Sequence, residues 1–353
     1  MKSEINKLIL ALLVPFLSIS CSSDSSDEGG SDKPKEGYYQ NPVIRASVPD
    51  PTIIRTSDGT FYLYGTEDIH NMPIYRSTDM VNWNLVGTAF TNQTRPKFPA
   101  GSPKEEAYLW APEIHVIKGK YVLFYSMNDG IDGWDSMIGY ALSDSPEGPF
   151  TPKGIIMSSH EMEVKQSIDQ FYYEEDGKQY MLWGSFNGLY MVELNVTDDW
   201  VITPKKDTKQ QVAGSAYEGS NLWKRDGYYY LFASIGAYGG GSNSKYQTVV
   251  GRSENLFGPY VNKTGGQMLD NRHEMVLTAR VDKVIAGPGH NAILVEDDAK
   301  QTWMMYHAYY TPWEGWNSGR NVCMDMVRWT DDKWPYINDG TPSASAEVPV
   351  INN

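Results

Sequence analysis

The chain has 353 residues, of which 41% are hydrophobic and 13% aromatic, and its formal net charge is −14. A nucleic-acid backbone would repel so negative a protein, which excludes a nucleic-acid partner, whereas a neutral glycan meets no such repulsion. The 24 Tyr and 11 Trp residues favour a β-rich fold with surfaces for sugar stacking over a helical bundle.

The beginning of the chain is typical of an export signal. Residues 1–20 combine two lysines with an apolar run at 8–19 that is too short to span a bilayer. The run ends next to Cys21 and resembles a bacterial lipoprotein signal peptide, so we expect a lipid anchor at Cys21 in the outer membrane or at the cell surface. An ordinary cleaved signal peptide is the alternative. Residues 21–37 predict a flexible polar tether, and the lone remaining Cys323 predicts that there is no disulfide.

A hairpin motif recurs five times after the tether. In each copy a short turn, Asp-Gly or Lys-Gly in four of them, separates two runs rich in apolar and aromatic residues. Asp-Gly between such runs is typical of a β-hairpin because glycine adopts a positive φ without steric cost. The five turns begin at Asp58, Lys118, Asp176, Asp226 and Asp298.

Each hairpin is followed by a third apolar segment and then by a fourth segment typical of an edge strand. Four strands repeated five times predict an all-β fold, a five-bladed β-propeller with four antiparallel strands per blade, over residues 38–343. Residues 344–353 are assigned to a C-terminal tail. A two-sheet sandwich is the alternative, but it does not explain the repetition. The predicted edge segments are 83–90, 150–157, 200–205, 259–269 and 334–338.

One residue in each repeat lies at a matching position ahead of the turn. Counting back eight residues, or seven in the third repeat, gives Asp50, Trp110, Asp169, Glu218 and His290. Inner strands line the axis of a propeller, so we expect these side chains to share one pocket. Glycoside hydrolysis requires two carboxyl groups, one to donate a proton and one to activate water or attack the sugar. A third acid near the donor would raise the donor's pKa by like-charge repulsion.

Each of these positions lies in a short motif. The motifs are Val48-Pro-Asp50-Pro, Trp110-Ala-Pro-Glu113, Ser167-Ile-Asp169, Tyr217-Glu218-Gly219 and Gly287-Pro-Gly-His290. Together they resemble glycoside hydrolase family 43, and most of all its arabinanase-like branch. The resemblance implies that Asp50 is the general base, that Glu218 is the general acid, and that Asp169 tunes and orients the acid. It further implies an inverting hydrolase of plant cell-wall polysaccharide, with α-1,5-linked arabinan as the substrate.

The resemblance also implies a calcium ion that His290 helps to hold through water, and no organic cofactor. A histidine that makes loop hydrogen bonds is the alternative for His290. Four further residues are assigned to substrate binding. Trp110 and Glu113 belong to the second motif, Tyr238 lies in a glycine-rich rim loop, and Arg320 begins the third strand of the last blade. Packing between blades is the alternative for Trp110. For Arg320 the alternatives are pairing with an active-site acid and a solvated position at the surface.

Other functions remain open at the level of sequence. Within the same family, an exo-acting α-L-arabinofuranosidase or a β-xylosidase would differ mainly in the loops that close the pocket. A non-catalytic propeller that binds glycans at the cell surface belongs to another class, and it would be expected to lack one of the three acids, all of which are present. We expect a monomer that contacts the membrane only through its lipid anchor.

Overall fold

Almost all regular structure in the chain is β-strand. The computed structural model describes residues 35–100, 102, 106–128, 132–312 and 319–352. The predicted signal peptide and most of the predicted tether therefore lie outside the described residues. Within the described ranges, no helix combines the length and apolar character that a membrane crossing requires.

The chain enters through a short strand, β1 (Tyr38–Gln40), and then builds two four-stranded blades in sequence. Neighbouring strands are antiparallel in both blades. Blade 1 contains β2 (Thr52–Arg55), β3 (Phe61–Tyr64), β4 (Pro73–Ser77) and β5 (Asn84–Thr88). Blade 2 contains β6 (Tyr108–Ile117), β7 (Lys120–Asn128), β8 (Met137–Ser143) and β9 (Thr151–Ser158).

The third and fourth blades follow after a single helical turn, α1 (Ser159–Met162). Blade 3 contains β10 (Phe171–Glu175), β11 (Lys178–Trp183), β12 (Leu189–Val196), β13 (Ile202–Pro204) and β14 (Gln210–Ala213). Blade 4 contains β15 (Glu218–Arg225), β16 (Tyr228–Ile235), β17 (Gln247–Ser253) and β18 (Glu274–Leu277). Short 3-10 helices occur at Lys206–Thr208, Gly241–Asn243 and Met268–Asp270.

Blade 5 has a divided inner strand, since two separate strands pair with the same neighbour. It contains β19 (Ile285–Gly289), β20 (Val295–Glu296), β21 (Thr302–Tyr310), β22 (Asn321–Trp329) and β23 (Pro335–Tyr336). The last strand, β24 (Ser345–Glu347), pairs antiparallel with β1. The five sheets confirm the predicted five-bladed β-propeller.

The hairpin turns follow the sequence closely. In blades 2, 3 and 4 the turn consists of two residues that both have positive φ, as in Asp226-Gly227 at 50° and 85°. Two positive φ values match the right-handed twist of the flanking strands, which is why Asp-Gly and Lys-Gly occur there. In blades 1 and 5 the loops are longer, 56–60 and 297–301.

The hydrophobic core lies between the blades rather than at the axis. Each pair of adjacent blades encloses one cluster of buried apolar side chains, including the pair formed by blade 5 and blade 1. In that last cluster, Trp303 is fully buried and meets Tyr39 edge to face, with ring centroids 6.3 Å apart. Packing thus closes the ring between the last and first blades.

Hydrogen bonds add to this closure. The amide of Asn41 donates to the main-chain oxygen of Met324 at 2.9 Å and accepts from the Met324 N–H at 2.9 Å. The segment that leads into blade 1 also forms a β-bridge to blade 5, between Ile44 and Val322. Residues 41–44 therefore lie along β22 before the chain enters blade 1.

Two segments pair in ways that the sequence did not indicate. Residues 344–353, assigned to a C-terminal tail, are held by distant partners, because β24 pairs with β1 and the N–H of Val350 donates to Asp297 at 3.0 Å. The fourth strand of blade 4 is β18, not 259–269. In the segment 259–269, Val261 forms isolated bridges to Arg252 and Gln267, whereas β18 pairs with β17 as the fourth strand. Both differences depend on pairing between distant segments.

Asn41→Ala is expected to destabilise the ring closure. The substitution removes both hydrogen bonds to Met324 and leaves its buried main-chain N–H unpaired, which costs about 1–3 kcal/mol, while the Met324 carbonyl keeps its bond from the Tyr39 hydroxyl. The free energy of unfolding from denaturant titration measures the loss. Asn255→Ala, at an exposed position of blade 4, is the control and should unfold as the wild type does.

Candidate active site

The start of each inner strand carries one residue with a left-handed backbone. These residues are Asp50 (φ 52°), Ala111 (43°), Asp169 (58°), Gly219 (54°) and His290 (45°). Positive φ is uncommon outside glycine and concentrates at functional sites. The pairing register shifts at this point in β6, β15 and β19, so the regular alternation of side chains is interrupted there. The repeated irregularity turns side chains of all five blades toward the axis.

These side chains meet in a pocket of about 230 Å³. In blades 2 and 4 the side chain that lines the pocket belongs to the residue before the left-handed one, Trp110 in blade 2 and Glu218 in blade 4. The predicted site residues that line the pocket are Asp50, Trp110, Asp169, Glu218, Tyr238, His290 and Arg320. Thr66, Asp68, Ile168 and Tyr246 complete the lining and were not identified from the sequence.

Asp50 is a buried carboxylate that is surrounded by positive and hydrogen-bonding groups. Its Oδ1 lies 3.0 Å from Nη1 of Arg320 and 3.2 Å from Nδ1 of both His290 and His307. Its Oδ2 accepts from the Thr66 hydroxyl at 2.6 Å. Burial alone would raise the pKa of Asp50, but the charges of Arg320 and His290 outweigh it and hold that pKa well below the usual range. Asp50 is therefore ionised.

Glu218 experiences the opposite environment in the same pocket. Its Oε2 accepts from the hydroxyl of Ser185 at 2.7 Å, and no arginine or lysine pairs with it among the described residues. Burial, together with the negative charge of Asp169, raises the pKa of Glu218 to about 7. Hydrogen bonds from Ser185 and Tyr246 oppose this rise but do not cancel it. Glu218 therefore holds a proton near neutral pH.

Asp169 links the acid to the rest of the pocket. Its Oδ2 accepts from the N–H of Gly219, the residue after Glu218, at 3.1 Å, and its own N–H donates to Ser126 at 3.0 Å. Burial raises the pKa of Asp169, and the charge of Asp50 adds to that rise. Asp169 thus fixes the main chain beside Glu218 and supplies the charge that disfavours its ionisation.

Gly219 has a steric reason to be glycine. A Cβ at this position would lie 2.8 Å from the His290 ring, and φ is positive as well. The His290 side chain itself lies against Asp50, and the charges of Asp50 and Asp169 overcome burial to raise the pKa of His290 to about 9. His290 is therefore an imidazolium that neutralises the acids on both sides of it.

The residues of the pocket do not form a direct ligand set for calcium. Calcium prefers oxygen ligands, whereas His290 presents a ring nitrogen that lies 3.2 Å from Asp50. Among the described residues, no group of three or more His, Cys, Asp or Glu side chains could hold a metal ion. The calcium ion stays a prediction.

Glu113 lies outside the pocket, which corrects its assignment to substrate binding. Its carboxylate accepts from the hydroxyl of Thr52 at 2.8 Å and contacts Nε2 of His115 at 2.6 Å. The side chain is buried between β2 of blade 1 and β6 of blade 2. Glu113 lies three residues farther along β6 than Trp110, where Thr52 and His115 bind its carboxylate.

A second, larger cavity of about 670 Å³ adjoins the pocket and shares Thr66, Asp68 and Trp110 with it. On its wall, Tyr108 stacks on Trp110, with ring centroids 5.9 Å apart and planes 10° from parallel, and Tyr108 is 51% exposed. These rings offer a flat apolar surface of the kind that sugar rings contact. Trp110 therefore faces both cavities rather than packing only between blades.

The opposite rim is formed by Tyr238 and Arg320. The Arg320 guanidinium lies over the Tyr238 ring, 4.5 Å from its centroid, while its Nη1 pairs with Asp50. The sequence left open whether Arg320 binds substrate or an acid, and the structure shows the ion pair. Tyr238 is half-exposed above it and lines the pocket.

Several polar contacts of the acids involve residues that sequence reasoning missed. Thr66, Ser185 and Tyr246 follow no motif, and nothing local marks them as partners of Asp50 or Glu218. His307 lies in Tyr306-His307-Ala308-Tyr309 on β21, a segment that resembles the arabinanase branch, and that resemblance was the one available signal. The Thr66 hydroxyl also accepts from the Ala111 N–H at 2.7 Å, which ties blade 1 to blade 2 beside the base.

An ionised and a protonated carboxyl in one pocket, on a five-bladed propeller, define a glycoside hydrolase site. The family model described as glycosyl hydrolases family 43 matches residues 39–335. The chain therefore belongs to glycosyl hydrolase family 43, whose members are inverting enzymes with carboxylate catalysts.

Known proteins of this family align along most of the chain. The extracellular exo-alpha-(1->5)-L-arabinofuranosidase ArbA of Cellvibrio japonicus is 31% identical, with 84% of this chain and 87% of that protein covered. The extracellular endo-alpha-(1->5)-L-arabinanase 2 of Bacillus subtilis is 27% identical, with 86% and 72% covered. The structure of Cellvibrio cellulosa alpha-L-arabinanase complexed with arabinohexaose has a TM-score of 0.69 at 28% identity, with 83% of this chain and 96% of that chain covered.

Asp169→Asn is expected to move the alkaline limb of the pH–rate profile to lower pH. Loss of the negative charge lowers the pKa of Glu218 from about 7, so the acid loses its proton at a lower pH. Profiles of kcat/KM measure the shift. Asp207→Asn, an exposed substitution on blade 3, should leave the limb in place. An unmoved limb in Asp169→Asn would contradict the tuning role.

Proposed function

We propose that the chain hydrolyses α-1,5-linked L-arabinan with inversion, with Asp50 as general base and Glu218 as general acid. One observation carries the assignment of roles. The two carboxyl groups share a pocket, yet their pKa values are displaced in opposite directions, Asp50 downward and Glu218 upward. Separated pKa values are how one site runs acid and base chemistry at the same pH.

The proposed reaction is a single displacement. Glu218 donates its proton to the leaving glycosidic oxygen as the bond to the anomeric carbon breaks. Asp50 takes a proton from a water molecule, whose oxygen attacks the opposite face of the same carbon. The product therefore has the inverted anomeric configuration. Arg320 and His290 keep Asp50 ionised before the reaction, and Asp169 keeps Glu218 protonated.

Arabinan as substrate is supported by the relatives and by the shape of the site. Two of the relatives are named for action on alpha-(1->5)-linked arabinose, one as an exo-acting and one as an endo-acting enzyme. The second cavity leaves room for further sugar residues beside the catalytic pocket. Carboxylates of Glu67, Asp68 and Glu106 line this cavity, and Arg95 is neutralised by Glu67 at 2.5 and 2.7 Å. A neutral pentose polymer suits such walls better than one rich in uronic acid.

Secretion is supported by relatives that are named extracellular. The lipid anchor at Cys21 and the monomeric state stay predictions, and Cys21 lies outside the described residues. An anchored enzyme would hold its pocket near polymer fragments at the cell surface, which fits a hydrolase of large substrates.

Product analysis tests the function directly. Wild-type enzyme is expected to release arabinose or short arabino-oligosaccharides from linear arabinan, and proton NMR of the first products should show the inverted anomer. Asp50→Asn should abolish release because water is no longer activated, while calorimetry still detects oligosaccharide binding. Greater activity on xylan or xylo-oligosaccharides than on arabinan would replace the proposed substrate by that of a β-xylosidase.

Glu218→Gln is expected to lower kcat on linear arabinan by about 10²–10⁴-fold, because the leaving oxygen loses its proton donor. Aryl arabinofuranosides with acidic phenol leaving groups need little protonation and should lose much less. The comparison of kcat between the two substrate types measures the effect. Glu254→Gln, an exposed substitution on blade 4, is the control. Equal losses on both types would remove Glu218 from the acid role.

Tyr108→Ala is expected to weaken the binding of long substrates but not of short ones. Removing the exposed ring of the stacked pair takes away apolar contact in the second cavity worth about 1 kcal/mol, or roughly fivefold in KM. The increase should appear with arabino-oligosaccharides and not with an aryl monoglycoside, which occupies the catalytic pocket alone. Tyr336→Ala removes a comparably exposed ring from β23 in blade 5 and should change neither KM.

A further inference from the structure

The main chain of Asp50 is bound by the side chain of His307. His307 lies on β21 and is fully buried, and its Nδ1 accepts from the N–H of Asp50 at 3.1 Å. Asp50 precedes β2, whose pairing with β3 begins at Thr52, so the sheet ladder does not bind this N–H. His307 therefore supplies to the Asp50 N–H the hydrogen bond that the β-sheet does not provide.

The hydrogen bond defines the protonation state of His307. An Nδ1 that accepts from an N–H must offer its lone pair, so a neutral ring carries its proton on Nε2. Burial lowers the pKa of His307 to about 4, and the charge of Arg320 acts in the same direction. The charged and titratable groups that face the ring are Asp50, Arg320 and His290. His307 is thus a neutral acceptor for the main chain of the base, in contrast to the protonated His290.

Tyr246 holds the His307 ring in place from the side of blade 4. The two rings are stacked, with centroids 5.3 Å apart and planes only 8° from parallel. The other side of Tyr246 is confined as well, because a Cβ at Gly289 would lie 2.2 Å from its Cδ1. Glycine at 289 therefore leaves the space that the Tyr246 ring occupies.

Tyr246 also reaches the acid. It lines the catalytic pocket beside Glu218, whose pKa its hydroxyl helps to lower, and it is 1% exposed. The acidic groups that face its hydroxyl are Glu218, Asp169 and Asp50. A continuous path of contacts thus runs from the Asp50 main chain through His307 and Tyr246 to Glu218.

We propose that Tyr246 and His307 are positioning residues that act as a unit: the stacked rings hold the main chain of the base at a fixed place relative to the acid. The proposal rests on the assignment of Asp50 and Glu218 as base and acid. Inversion needs a spacing between the two carboxyl groups that admits one water molecule, so drift of either main chain slows the reaction. A displacement of about 1 Å costs about 10²-fold in rate.

Two substitutions at each position distinguish a positioning role from a simple loss of side-chain volume. Tyr246→Phe keeps the stacked ring and loses the hydroxyl, whereas Tyr246→Leu loses the stack too. His307→Asn retains an acceptor that can meet the Asp50 N–H, whereas His307→Leu does not. His160→Asn is the matched control, at an exposed histidine that stacks on Trp134. Thermal unfolding of each variant checks the fold.

The first readout is exchange of the Asp50 amide proton, followed by NMR, which needs no substrate. Exchange should be slow in the wild type, Tyr246→Phe, His307→Asn and the His160 control, and at least tenfold faster in His307→Leu and Tyr246→Leu. If Tyr246→Leu exchanges as slowly as Tyr246→Phe, the stack does not hold His307 and the proposal is wrong.

The second readout is kinetic. His307→Leu should lose about 100-fold in kcat with KM unchanged, and His307→Asn should recover at least tenfold of that loss. Failure of His307→Asn to exceed His307→Leu would overturn the proposal. A wild-type enzyme inactive on all arabinosides would instead contradict the proposed function. Amide exchange would still test whether Tyr246 and His307 hold the Asp50 main chain.

Discussion

The ion pair between buried Asp50 and Arg320 is the contact on which the rest of the site depends. A buried carboxylate without compensation costs several kcal/mol, and it would take up a proton instead of acting as a base. Thr66 of blade 1 supplies one hydrogen bond, while Arg320 and His290 reach the carboxylate from blade 5. The ionised state of the base therefore requires that the last blade is closed onto the first.

Closure of the ring and formation of the site are in this way one structural event. The apolar cluster around Trp303 and the bonds between Asn41 and Met324 bring blade 5 against blade 1. The same approach places the side chains of β21 and β22 around Asp50. The glycosidase activity that we propose thus depends on blade packing as directly as on the acids themselves.

Two carboxyl groups acquire different roles because their neighbours differ, not because Asp and Glu differ. Asp50 is surrounded by cations, whereas Glu218 has a hydroxyl from Ser185 and the negative charge of Asp169. His290 lies between the two environments and carries the positive charge that limits repulsion among the acids. Each acid is therefore ready for its step before substrate arrives.

Sequence alone determined the repeated hairpins, the five-bladed fold and the convergence of Asp50, Asp169 and Glu218. These features follow from local turn chemistry and from the alternation of side chains along strands, which the order of residues expresses directly. Glu113 was assigned to substrate binding from its motif, but Thr52 and His115 bind its carboxylate outside the pocket. Only the tertiary structure decided that Thr66, Tyr246 and His307 contact or support the acids, and that β24 pairs with β1. Such contacts join residues that are far apart in the chain, and no local pattern specifies which distant side chain will fill a given space.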